Sequence, residues 1–133
     1  MYERGASAMN ANELSTAALA YLGDAVIEVL VREKLVSDGY SDSGNLNRES
    51  LKYVKAGAQA AAMRKILPTL SEEEEAVFKR GRNMSGGNVP KSATMAEYRT
   101  ATGMEVLFGY LHVTQKNERI KELFRMAYSK NEE

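Results

Sequence analysis

Ala17-Ala18-Leu19-Ala20-Tyr21-Leu22-Gly23-Asp24-Ala25-Val26-Ile27-Glu28-Val29-Leu30-Val31 is the stretch whose reading decides the fold. Its apolar residues fall on nearly every side of a 3.6-residue period, which predicts a helix set in the middle of a domain. The helix extends from about Glu13 to Ser37 and stops at Gly39, a residue suited to a helix C-terminus. Asp24 interrupts the apolar surface. An unpaired buried carboxylate is costly, so it requires a cation, strong donors or a water-filled cleft. Gly23 beside it weakens the helix relative to alanine, which signals the close approach of another segment or a ligand. Glu28 and Arg32, further along, have the spacing of a surface ion pair.

Outward from this helix the chain continues in the same style. A second helical stretch starts near Ser43 to Asn45 and reaches Leu67, with a break near Lys55 to Gly57, and Pro68 closes it. Ser71 and Glu74 form a capping box, and the acidic run Glu72 to Glu75 falls where the helix dipole favours negative charge, so that run is structural. The segment Arg82 to Ala93, RNMSGGNVPKSA, is the one long loop. A helix follows from about Thr94 to Val113, with Tyr98, Ala101, Met104, Leu107, Phe108 and Leu111 on its apolar face. Glu105 lies at the edge of that face, flanked by Gly103 and Gly109. Asn117 then caps a last amphipathic helix carrying Ile120, Leu123, Phe124 and Ala127. Five or six helices and no alternating strand pattern make this an all-α chain.

Composition narrows the chemistry. A chain of 133 residues fits one domain, taken here as residues 13–130 after a flexible N-terminal segment, 1–12. There is no cysteine and a single histidine, His112. A bound metal would therefore be held by oxygen, which favours magnesium, manganese or calcium. His112 has no evident partner for nucleophilic catalysis. Eighteen basic and eighteen acidic residues cancel, so a nucleic-acid interface must come from local clusters. The first residues carry no apolar leader, and the longest apolar run is broken by Asp24 and Glu28. No membrane span is expected, and the reading is a soluble cytoplasmic domain. Two helices with one carboxylate each suggest facing acids. On residue chemistry alone, a metal site and a salt bridge to a neighbouring Arg or Lys both remain open.

Ala20-Tyr21-Leu22-Gly23-Asp24-Ala25-Val26 resembles the ribonuclease III signature, whose core is a Glu, an aromatic residue, Leu-Gly-Asp and a small residue. Lys79-Arg80-Gly81-Arg82-Asn83, and Tyr98-Arg99 through Glu105 to Gly109-Tyr110-Leu111, resemble the reduced branch of that family, Mini-ribonuclease III. The resemblance runs from about Leu14 to Leu123. It implies an all-helical, homodimeric endonuclease domain that hydrolyses phosphodiesters in double-stranded RNA with magnesium, or manganese as a substitute. It gives Asp24 and Glu105 the catalytic and metal-binding roles, and large-subunit (23S) ribosomal RNA precursors as the expected substrate. The chain departs from longer members at Ala17, Ala20 and Thr102, where those carry acids, and nothing after Lys130 is expected to form their separate RNA-binding domain.

The catalytic domain is then expected to grip RNA itself, through Lys79, Arg80, Arg82, Asn83 and Lys91 around Gly86-Gly87. For Lys79 and Arg80 an ordinary solvated helix end explains the cations equally well. Arg48, Lys52 and Lys55, and likewise Lys121, Arg125 and Lys130, read as solvated faces. Dimer contacts are expected from the apolar surplus around Tyr21. Two rival readings are a catalytically silent module binding structured RNA or the ribosome, and a helical adaptor. Retention of both acids argues against each.

Overall fold

Each helix starts and stops where the sequence can satisfy its free backbone groups. The structure, a computed structural model, describes residues 9–84 and 89–129. A 3-10 turn at Ala11–Glu13, capped by the Asn10 side chain, precedes the first helix. Residues 1–8 of the N-terminal segment lie outside the described residues. Helix α1 (Thr16–Ser37) begins at Ser15, whose hydroxyl accepts the Ala18 N–H at 3.0 Å. It ends at Gly39, with φ +103°. There the N–H groups of Gly39 and Tyr40 return to the carbonyls of Val36 and Leu35, both at 3.1 Å.

Asp42 caps α2 (Ser43–Val54), and α3 (Ala56–Ile66) follows after the extended residue Lys55. The break thus falls where the sequence predicts it. Pro68 lies in a short 3-10 turn, Leu67–Thr69. Helices α4 (Glu72–Arg82) and α5 (Met95–Val113) both open with full capping boxes, Ser71 with Glu74 and Thr94 with Glu97. The last helix, α6 (Asn117–Ala127), differs from expectation at its start. Lys116 is the N-cap and makes no side-chain cap bond, while Asn117 is already helical. The reason is the end of α5. Gln115 takes the left-handed conformation (φ 60°) and the Lys116 N–H bonds back to the Leu111 carbonyl at 2.8 Å. The chain is turned into α6 by that closure, and no side-chain cap is used.

α5 is the centre of the bundle, packed against α1, α3, α4 and α6. Met104, Val106, Leu107 and Phe108 are fully buried. α1 buries only one stripe, Leu19, Gly23, Ile27, Val31 and Leu35, at four-residue spacing. Its other side faces out, with Tyr21 82% and Val29 54% exposed. The sequence-based expectation that α1 is central is therefore corrected. The apolar surplus of α1 is solvent-facing in the single chain, and Asp24 lies on its exposed side. Glu74 does double duty: besides its capping box it takes two 2.9 Å hydrogen bonds from Arg119, which also reaches Glu122 and the Thr69 carbonyl. This joins α4 to α6. No strand occurs among the described residues, and no helix there is long and apolar enough to cross a membrane.

Candidate active site

Glycine on both helices makes the crossing of α1 and α5. A methyl group at Gly23 would overlap the Glu105 carbonyl oxygen and come within 2.8 Å of the Gly109 nitrogen. One at Gly109 would overlap the Leu19 carbonyl oxygen. Backbone rests on backbone here, closer than any side chain permits. Both acids adjoin the first of these contacts. Asp24 follows Gly23, and Glu105 supplies the carbonyl on which Gly23 rests. The crossing therefore brings the two acids together through backbone contact. Gly81 and Gly103 repeat the device between α4 and α5, where a methyl on Gly81 would stand 2.8 Å from the Gly103 Cα.

Asp24 and Glu105 share the wall of a cleft of about 440 Å³. Glu105 is partly buried, and desolvation pushes its carboxyl up to about 8; the charge of Asp24 and a hydrogen bond with it act in the same direction. A carboxyl in that state favours its protonated form at neutral pH when no cation faces it. Among the described residues, neither acid enters an ion pair. Among those residues the salt-bridge reading left open by the sequence finds no partner. No third His, Cys, Asp or Glu joins the pair among those residues. As a donor set the pair is all oxygen and suits a hard cation that keeps waters in its remaining positions. Ala17, Ala20 and Thr102 line the same cleft. Thr102 is tied only to its own helix, its hydroxyl donating to the Tyr98 carbonyl at 2.9 Å.

The basic residues predicted to grip RNA are brought near this cleft unequally. Met84 and Pro90 line it, so Asn83 and Lys91 are each one residue away. Arg82 donates to Asn83 at 3.2 Å and lies 5.8 Å from the Phe78 ring centre. Arg80 reaches from α4 to the Thr16 hydroxyl at the start of α1, at 2.9 Å. Lys79 pairs with Glu75 at 3.3 Å, an ordinary helix-surface contact. Gly86 and Gly87 lie outside the described residues. Of the cations read as solvated faces, Lys52 pairs with Glu49, and Arg48, Lys55, Lys121 and Arg125 are exposed; Lys130 lies outside the described residues. His112 is exposed. A larger cavity, of about 1420 Å³, opens between α1, α2 and α6. Lys34 and Lys52 there pair with Asp38 and Glu49. Gln59 is a cleft residue that sequence reasoning missed. The available signal was its phase, since it lies four and seven residues before the buried Met63 and Ile66.

The ribonuclease III domain matches residues 17–116. This chain belongs to the ribonuclease III family. Its relatives within that family include proteins called Mini-ribonuclease 3. One from Symbiobacterium thermophilum is 48% identical, over 82% of this chain and 84% of its own length. Another, from Enterococcus faecalis, is 45% identical over 89% of this chain and 91% of its own. An X-ray structure of a Fusobacterium nucleatum protein superposes with a TM-score of 0.81 at 32% identity, covering 89% of this chain and 96% of that one. The all-helical family fold is thus shared, and both carboxylates fall inside the matched segment.

Proposed function

We propose that this ribonuclease III-family endoribonuclease cuts both strands of double-stranded RNA, dependent on magnesium, as a homodimer with Asp24 and Glu105 in each active site. The observation that carries the reading is the desolvated acid pair: two carboxylates brought together at a glycine crossing, with no ion-pair partner among the described residues. Such a pair is unfavourable unless a proton or a metal ion sits between them. Asp24 and Glu105 would hold magnesium, with manganese as a substitute. When bound, the ion supplies a hydroxide near neutral pH and neutralises phosphate charge. Asp24, exposed at the cleft, is open to the incoming phosphodiester. Glu105, fixed on the central helix, keeps its carboxylate in one place. Asn83 and Lys91, next in sequence to cleft-lining Met84 and Pro90, would meet neighbouring phosphates together with Arg82, and Arg80 ties α4 to the start of α1. A-form RNA is read mainly through phosphates and 2′-hydroxyls, which suits polar groups around a shallow cleft.

Dimerisation is supported by the outer stripe of α1. Tyr21, Ala25, Val29 and Val36 follow one face of the helix, all exposed in the single chain. The stripe adjoins Asp24, and Tyr21 itself lines the cleft. A two-fold pairing over it brings two clefts together for two strands. Precursors of large-subunit ribosomal RNA, in the cytoplasm, are the natural source of such duplexes. The test is cleavage of a long RNA duplex with and without magnesium, for the native chain and Asp24→Asn. Magnesium-dependent cutting that Asp24→Asn abolishes, with folding and dimerisation intact, supports the reading. Duplex binding without cutting under all metals tried favours a silent RNA-binding module, which the acid-poor positions Ala17, Ala20 and Thr102 would also fit.

A further inference from the structure

Gln59 is enclosed by protein, yet its side chain has no protein partner among the described residues. It is 2% exposed and lies on the inward stripe of α3 with Met63 and Ile66. Its backbone N–H bonds to the Lys55 carbonyl at 2.8 Å, as a helix requires. No side-chain nitrogen or oxygen sealed from solvent among those residues lacks a hydrogen bond. Among those residues nothing bonds the carboxamide, so on that count it reaches solvent, and the opening beside it is the cleft it lines with Asp24 and Glu105. A glutamine is a costly choice for a position in phase with Met63 and Ile66, where an apolar side chain would pack without any unmet polar group. Such a cost at a cleft wall points to a ligand.

The chemistry of the cleft says which ligand group. Its described walls contain no Lys or Arg. The Thr102 hydroxyl proton is already given to the Tyr98 carbonyl. A phosphodiester entering beside two carboxylates brings further negative charge and needs a donor that is already oriented. An amide N–H provides one without pairing with the acids as a lysine would, so it does not displace a cation from them. Its stem is held by the helix core, so little ordering is needed on binding. We propose that Gln59 touches the substrate, its amide N–H donating to a non-bridging oxygen of the scissile phosphodiester. The proposal rests on the endoribonuclease reading above.

The test compares the full-length native chain with Gln59→Met and Gln59→Glu on a defined RNA duplex in magnesium, alongside thermal unfolding of all three. Methionine keeps the length and burial and removes the amide. Glutamate keeps the length and an acceptor and removes the donor. Both variants are expected to lose kcat by ~10²-fold, the usual effect of deleting one oriented donor to a developing oxyanion. KM should change only a few-fold, because distributed phosphate contacts carry the binding. Gln59→Met should melt at or above the native temperature. A native chain that never cuts duplex RNA sinks the function reading, and the assignment of Gln59 with it. A native chain that cuts, with Gln59→Met cutting equally well, overturns the assignment alone. So does a clear drop in melting temperature for Gln59→Met, which would reveal a structural hydrogen bond. Restoration of kcat by Gln59→Glu overturns the donor role.

Discussion

Replacing Glu105 by glutamine should stabilise the metal-free protein, and by an amount that grows with pH. Glu105 has its carboxyl raised from 4.5 to about 8 in the folded chain, mainly by burial and then by Asp24. The folded state therefore binds this proton more tightly than the unfolded state does. Stability from that proton is fully present below pH 4.5 and is lost as pH rises towards 8. Each pH unit in the window is worth ~1.4 kcal/mol, so the native chain gives up about 3 kcal/mol between pH 4.5 and 7. Glutamine keeps the shape and has no proton to lose. Urea unfolding in chelator, at fixed protein concentration and at steps from pH 4.5 to 8, measures the difference. Subtracting the native curve from the Glu105→Gln curve cancels the titrating groups that do not couple to Glu105, leaving the Glu105–Asp24 pair. The difference should climb by about 3 kcal/mol up to pH 7. Magnesium should then raise the stability of the native chain at pH 7 and leave Glu105→Gln nearly unmoved. A difference curve that stays flat across the window would refute the argument, because it would mean that Glu105 is not desolvated against Asp24.

Other perturbations test the scaffold. Gly23→Ala places a methyl on the Glu105 carbonyl, and calorimetry should show a loss of ~3 kcal/mol as α1 is forced off α5. Arg119→Ala leaves Glu74 without its main partner, and should cost ~3 kcal/mol near neutral pH. Glu74 is lowered from 4.5, so in native protein that stability is lost as pH falls below 4.5 through the folded value. An Arg119→Ala deficit that persists unchanged into strong acid would contradict it. Gln115→Gly relieves a left-handed residue and should add ~1 kcal/mol in chemical denaturation. Val29→Lys on the outer stripe should convert dimer to monomer in sedimentation while the monomer stays folded; unchanged dimerisation would move the interface elsewhere.

Local signals carried far into this fold. Helix ends follow from Gly39, Pro68 and the Ser71–Glu74 box, because caps act within one turn and need no knowledge of the rest of the chain; the start of α1, expected at about Glu13, falls at Thr16 behind the Ser15 cap. A second box, Thr94 with Glu97, was equally readable and predicts the start of α5. The glycines beside the acids were legible as close approaches; which segments approach was not, since Gly23 meets Glu105 only across the bundle. Placing α1 in the middle of the domain misleads for a physical reason. Apolarity around a helix reports every surface it covers, and α1 devotes its outer stripe to something other than its own core. Asp24 was accordingly expected to be more buried than it is. Gln59 is placed by its phase with Met63 and Ile66, but its missing hydrogen-bond partner has no trace in a sequence. Asn117 was misplaced by one residue because the preceding turn closes through backbone bonds alone.

The three cleft positions where longer family members carry acids have a further consequence. Ala17 and Ala20 contribute only small side chains, and Thr102 bonds only to the carbonyl one turn behind it. None of them spans two helices, and the α1–α5 crossing is settled by glycines elsewhere. Carboxylates can therefore be gained or lost at these sites with the helices left where they are. Catalytic demand and architectural demand fall on different residues, so drift in one need not erode the other. A lineage can trade metal affinity against economy of charge inside an unchanged frame. The same separation makes Ala20→Glu and Thr102→Asp natural first steps for anyone wishing to raise the metal affinity of this cleft by design.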